Sequence, residues 1–228
     1  MATTRRAAAT AGFRGFPAAA LEFFDDLEEH NERSWWQANR SRYDESVRGP
    51  LDAFLAEVAA EFGAAHVFRP NRDTRFSNDK TPYKTNIGAV IHDGAAMYYV
   101  HLDGGGLFAA AGAYMMASDQ IARYRAAVAD DRTGAPLAAL LEAAAATGLS
   151  VHQPDLQRVP PPYPKDHPRG ALLRSKSMTL GRRFGTPAWL HTRRAGDEIT
   201  RVWRASKPLV DWLGAHVGPS EQSNERRR

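Results

Sequence analysis

NIGAVIHDGAAMYYVHLDGGGLFAAAGA, residues 86–113, is the stretch that decides the fold. Three apolar runs, 86–92, 97–102 and 107–113, are separated by Asp93-Gly94 and by Asp103-Gly104-Gly105-Gly106. Acidic-glycine punctuation between short apolar runs supplies the positive-φ residues that tight hairpin turns need. The stretch therefore predicts three antiparallel strands joined as a meander. In the middle run Tyr98 and Val100 alternate with Tyr99 and His101, the pattern of a strand with one buried and one partly open face. The triple glycine is turn chemistry and no phosphate loop, since no Lys-Ser/Thr pair follows it.

Helical patterns flank the meander. Upstream, Leu21, Phe24 and Leu27 recur at helical spacing over 17–30, opposite an acidic face of Glu22, Asp25, Asp26, Glu28 and Glu29. Ser34 is a candidate cap for a second helix running to Val47, and Gly49-Pro50 is expected to end it and start a third with Leu51, Phe54, Leu55, Val58 and Phe62 inward. Downstream, helices are expected over 118–130 with Ser118 as cap, and over the alanine-rich 135–146. Residues 149–164 are expected to hold one or two short extended pieces and then PPPYP, which is loop or polyproline-like. Asp166 is a candidate cap for a short helix over 168–174, followed by an extended 175–184. A last helix over 197–213 contains Pro208, which is expected to kink or divide it. Together these give a single α+β domain over 13–217, an antiparallel sheet packed with N-terminal and C-terminal helices, between a disordered leader (1–12) and a disordered tail (218–228).

Composition narrows the chemistry. A chain of 228 residues with 43% hydrophobic and 25% charged residues has the balance of a globular protein with a sizeable core. It has no cysteine, which removes disulfides, thiolate metal sites and cysteine nucleophiles. No apolar run reaches the length of a membrane span, and the basic N-terminus lacks a signal-peptide core, so a cytoplasmic protein without a membrane partner is expected. The motifs of serine hydrolases, zinc proteases, P-loop enzymes and dinucleotide-binding folds are missing. The histidines are scattered, and although His92 and His101 fall on neighbouring strands, no metal site is expected.

The net charge of +4 is unevenly laid out. Residues 69–84, RPNRDTRFSNDKTPYK, hold five basic and two acidic residues, and residues 165–194 hold eight basic and one acidic. The first segment carries turn formers and hydroxyls among its cations and leads straight into the first strand. Arg forks, Lys point charges and hydroxyl donors in one loop suit an anionic ligand. Arg72, Arg75, Ser77, Lys80, Tyr83 and Lys84 are the candidate ligand-binding residues, with Arg174 and Lys176 joining from the second segment. Asp73 and Asp79 orient the arginines, because a carboxylate beside Arg stays ionised and is a weak base. Two expectations follow: the two basic segments meet in space, and Tyr83 is buried with its hydroxyl hydrogen-bonded.

Three segments together resemble domain of unknown function (DUF) family 2461, found in bacteria and fungi. They are the N-terminal pattern of Phe24, Leu27, Asn31, Trp35-Trp36, Asn39-Arg40, Tyr43, Val47 and Pro50; the run RDTRFSNDKTPYKTNIGA; and PPPYPKDHPRGALLRSKS. The resemblance spans about 13–216. It implies an intracellular α+β domain and carries no catalytic residues over. The chain differs from the family pattern at Trp36, where Phe is expected, and at Tyr114-Met115-Met116, where Tyr-x-Pro is expected. Function is thus read as binding of a small phosphorylated or carboxylated ligand, with enzymatic activity left open. The alternatives are a nucleic-acid-associated module, or a scaffold domain whose basic loop is only structural.

Overall fold

The computed structural model describes residues 12–75 and 79–222. The expected leader, apart from Gly12, lies outside them. One six-stranded antiparallel sheet carries the molecule, in the order β1 (Ala65–Val67), β2 (Asn86–Asp93), β3 (Ala96–Asp103), β4 (Gly106–Ala113), β6 (Met178–Gly185), β5 (Ser150–Val151). The meander is as the sequence predicts, with Asn86 opposite Asp103 and Asp103 opposite Gly106. β1 is too short for a periodic signal and was not anticipated as a strand, whereas β5 falls in 149–164, where short extended pieces are expected. Gly106 is irreplaceable on geometry: φ is 101°, and a Cβ would stand 1.9 Å from the Gly185 carbonyl oxygen.

β3 alternates strictly, with Ala96, Tyr98, Val100 and Leu102 buried and Met97, Tyr99, His101 and Asp103 half-buried. The buried set faces α8 (Arg194–His216), which packs against β3, β4 and β6. Trp203 of α8 is fully buried, lies 5.7 Å from Tyr98 between ring centroids, and donates its indole N–H to the Tyr99 carbonyl at 3.1 Å. Such a buried indole needs a partner and finds it on the sheet backbone. Phe54 of α4 (Gly49–Phe62) and Phe62 extend the same aromatic core onto Trp203. α1 (Ala18–Glu29) contributes Phe24 and Leu27, as its spacing predicts, together with Phe23, which the spacing did not single out, while Leu21 is only half-buried.

Several helix boundaries differ from expectation. The second helix is split into α2 (Arg33–Ala38) and α3 (Arg40–Tyr43), and Ser34 lies inside α2 rather than capping it. Gly49-Pro50 does not end it: a π-helical turn over Asp44–Arg48 leads into α4, with Gly49 itself helical. That wider turn carries the chain past the missing Pro50 N–H without leaving the helix. α5 (Ser118–Ala129) has Ala117 at its cap, where the Gln120 side chain accepts the Ala117 N–H at 3.0 Å. α6 (Asp131–Ala146) begins earlier than its alanine run, because Asp130 caps it by accepting the Arg132 N–H. The short helix narrows to α7 (Gly170–Leu173), preceded by Arg169 and not capped by Asp166. α8 runs undivided past Pro208, held on both sides of it by buried Trp203, Leu209, Val210 and Leu213. The expected tail is docked as far as Gln222: Asp119 accepts from the Ser220 hydroxyl and the Glu221 N–H, both at 2.8 Å.

No helix among the described residues is long and apolar enough to cross a membrane.

Candidate anion-binding site

The basic loop leaves the sheet as a two-stranded ribbon. After β1 the chain continues beside β2, with the Phe68 N–H on the Gly88 carbonyl at 2.9 Å. It then pairs with itself: Lys84 N–H to Pro70 O at 2.8 Å and Arg72 N–H to Pro82 O at 2.9 Å. Its root is clamped by Asn31. The side-chain amide donates to Tyr83 O at 2.9 Å and accepts the Tyr83 N–H at 3.0 Å, an imitation of a strand neighbour. Trp36 stacks on the Tyr83 ring, with centroids 4.3 Å apart and planes 10° from parallel. Tyr83 is buried as expected, at 6% exposure. Its hydroxyl, however, has no hydrogen-bond partner among the described residues; stacking and backbone bonds hold the residue instead.

Within the ribbon, cations and carboxylates are paired locally. Arg75 grips Asp73 with two parallel bonds, at 3.0 and 2.8 Å, and holds that carboxyl down to about 2. Arg72 bonds Asp79, and Asp79 also accepts the Thr81 N–H and hydroxyl, which keep its carboxyl below the ordinary range. Lys80 donates to Thr74 O at 2.9 Å. Both aspartates thus orient neighbours. Ser77 lies outside the described residues.

The expected meeting with the second basic segment does not occur. The ribbon sits at the Asn86 end of β2, whereas Lys176 lies two residues before Met178, which pairs with Ala113 at the opposite end of the sheet. Seven steps of strand separate the ends, about 24 Å. Arg174 bonds Gln157 O at 3.3 Å, and the Lys176 backbone is tied to Asp155. Charge clustering in sequence misled because much of that segment serves helix ends. Arg169 donates to Val128 O and Ala129 O at the end of α5, and Arg182 to Thr147 O and Gly148 O at the end of α6. Helix C-termini leave carbonyls unpaired and carry partial negative charge, so a guanidinium fork fits them.

One group of cations is left over. Lys84 stands near Arg69 and Arg72, and burial together with those two positive neighbours pushes its ammonium below the ordinary lysine range. Of the three, only Arg72 has a carboxylate partner among the described residues. The Lys84 ammonium lies 5.6 Å from the centre of the Phe68 ring. Phe68, 37% exposed, begins an aromatic row that crosses the open face of the sheet: Phe68 to Tyr99 at 6.3 Å, then Tyr99 to Phe108 at 6.2 Å. Arg183 covers the far end, 5.5 Å from the Phe108 ring and 3.6 Å from Asp103.

The row depends on two glycines. A Cβ on Gly88 would meet the Tyr99 hydroxyl at 3.2 Å, and one on Gly181 would meet the tip of Phe108 at 3.0 Å. Both rings recline across the sheet over a neighbour that has no side chain. His101, between them, pairs with Asp103 at 3.3 Å; burial pushes its imidazole below the usual range, partly offset by that carboxylate. His101 Nδ1 and Asp103 Oδ1 are buried without a hydrogen-bond partner among the described residues. The alternation of β3 announced an open face, but not that its rings join the basic ribbon. Arg69, Phe68, Phe108 and Arg183 were missed; only Phe108 has a signal of this kind, the diagonal Gly181.

His92 and His101 do not converge: His92 pairs with Met97 and His101 with Gly88. No group of three metal-ligating side chains occurs among the described residues. A cavity of about 420 Å³ lies between Phe62, Tyr98 and Arg204, and another of about 520 Å³ beside Phe13 and His191; neither is lined by the ribbon. A family model described as a conserved hypothetical protein (DUF2461) matches residues 19–212. No curated protein and no solved structure matches the chain.

Proposed function

The chain belongs to that conserved hypothetical family, DUF2461, and from this premise we propose that it is an anion-binding domain whose site is the root of the basic ribbon. The observation that supports this is the surplus of positive charge there: Lys84, Arg69 and Arg72 stand together with Asp79 as the single carboxylate bonded to any of them among the described residues. Like charges held close and partly desolvated are costly until an anion joins them. A phosphate or carboxylate accepts from all three. Arg75 and Lys80, further out and already bonded to Asp73 and Thr74, contribute less, and Tyr83 fixes the ribbon rather than touching the ligand. Arg174 and Lys176 have no part in it.

Inorganic phosphate followed by amide and lysine NMR shifts tests the reading. Saturable shifts at Phe68, Lys84 and Arg69 are expected, abolished by Lys84→Ala and unaffected by Lys176→Ala. Shifts confined to 174–176, or none at all, contradict it.

A further inference from the structure

Beside the surplus cations the sheet offers a row of aromatic rings, and that combination specifies more than an anion. Tyr99 and Phe108 lie back over Gly88 and Gly181 and are half-buried. Their ring contacts are with His101, with each other and with Phe68. Neighbouring rings of the row are inclined by 50° and 60° to one another, so a planar ligand that stacks on one face meets the next ring by its edge. Lys84 is in contact with the first ring of the row, so charge and stacking surface are one residue apart.

Resting on the anion-binding reading, we infer that the ligand is a small anion that carries a planar ring, of the nucleoside monophosphate class, its phosphate on Lys84, Arg69 and Arg72 and its ring stacked on Tyr99 with the inclined Phe68 ring against its edge. Charge argues for a small ligand over a strand of nucleic acid. Five of the 30 basic residues (Arg5, Arg6, Arg226, Arg227, Arg228) and one of the 26 acidic residues (Glu225) lie outside 12–222, leaving 25 of each within it. A neutral domain with a single local cluster satisfies one phosphate; a polyanion needs a basic track. Asp103, at the far end of the row, would oppose a second phosphate there.

The test compares adenosine 5′-monophosphate, ribose 5-phosphate and a short single-stranded oligodeoxynucleotide by calorimetry on the full chain. The nucleotide should bind at least about tenfold more tightly than the sugar phosphate, the order of one stacking contact. Tyr99→Ala should erase that preference while leaving ribose 5-phosphate binding unchanged. Phe68→Ala, at an exposed position where folding is not at stake, should reduce the preference too. Lys84→Ala should weaken both phosphates together. Equal affinity for the two would overturn the ring-bearing ligand and leave the anion site standing. If neither phosphate binds, the anion site itself fails and the inference with it. An oligonucleotide bound far more tightly than the mononucleotide, with a steep salt dependence, would overturn the small-ligand assignment.

Discussion

At the scale of single residues, the ribbon's root separates packing from polar contact. Tyr83 has a buried ring and backbone bonds to Asn31, but a hydroxyl without a partner among the described residues. Tyr83→Phe should therefore change stability by less than about 0.5 kcal/mol, whereas Asn31→Ala strips the Tyr83 N–H and C=O of their partner and should cost about 1–3 kcal/mol. Urea unfolding, read as a shift in midpoint at constant slope, measures both; a Tyr83→Phe loss as large as that of Asn31→Ala would refute the account. Asp119 makes the matching case for pH. Desolvation pushes its carboxyl up, but the Glu221 N–H and the Ser220 hydroxyl outweigh it and hold it at about 2, against an ordinary 3.8. Since the folded value is the depressed one, docking of 217–222 is complete above the ordinary value and is lost as pH falls through the folded one. The Glu221 amide shift should then titrate with a midpoint near 2; a midpoint at 3.8 would mean the contact is not made.

At the scale of elements, the arginines that close helices are the least expected feature. Arg169 has a side chain only 10% exposed, and its fork meets Val128 O, Ala129 O and Asp131. Arg169→Ala should cost about 2–3 kcal/mol, the range for bonds to a charged donor, and Arg169→Lys should not restore it, since an ammonium lacks the planar fork. Arg132, whose side chain is 88% exposed, should be replaceable at no measurable cost. Thermal unfolding of the three variants decides the matter. This is also where the sequence was least legible. Period-two alternation and acidic-glycine turns located β2, β3 and β4, and helical spacing located α1 and the core of α8, because those signals are local. Which carbonyls Arg169 and Arg182 would reach depended on tertiary placement, so a run of basic residues looked like a ligand site. Tyr99 was legible as lying on an open face; the connection from Lys84 through Phe68 to Tyr99 joins separate strands and had no local mark.

For the molecule as a whole, an even charge balance within 12–222 constrains what it meets. The sequence pI of about 9.5 suggests a basic protein, yet the excess resides in Arg5, Arg6 and the three terminal arginines. Within the domain most arginines are bonded to carboxylates or helix ends, and the open face carries Asp103 as well as Arg183. Two kinds of nucleic-acid affinity are thereby separable. Non-specific attraction scales with the number of phosphates neutralised and weakens steeply with salt. It should belong to the terminal arginines and vanish in a chain cut to 12–222. Binding at the ribbon root engages one phosphate, so its logarithmic salt slope should be shallow, about one unit, and should survive the cut. Fluorescence anisotropy of a labelled oligonucleotide, with and without the termini and across salt, measures the first; calorimetry with the mononucleotide measures the second. A truncated chain that still bound the oligonucleotide with a steep slope would show that the domain itself offers a basic track, and the neutral balance of its surface would then be no guide to its partner.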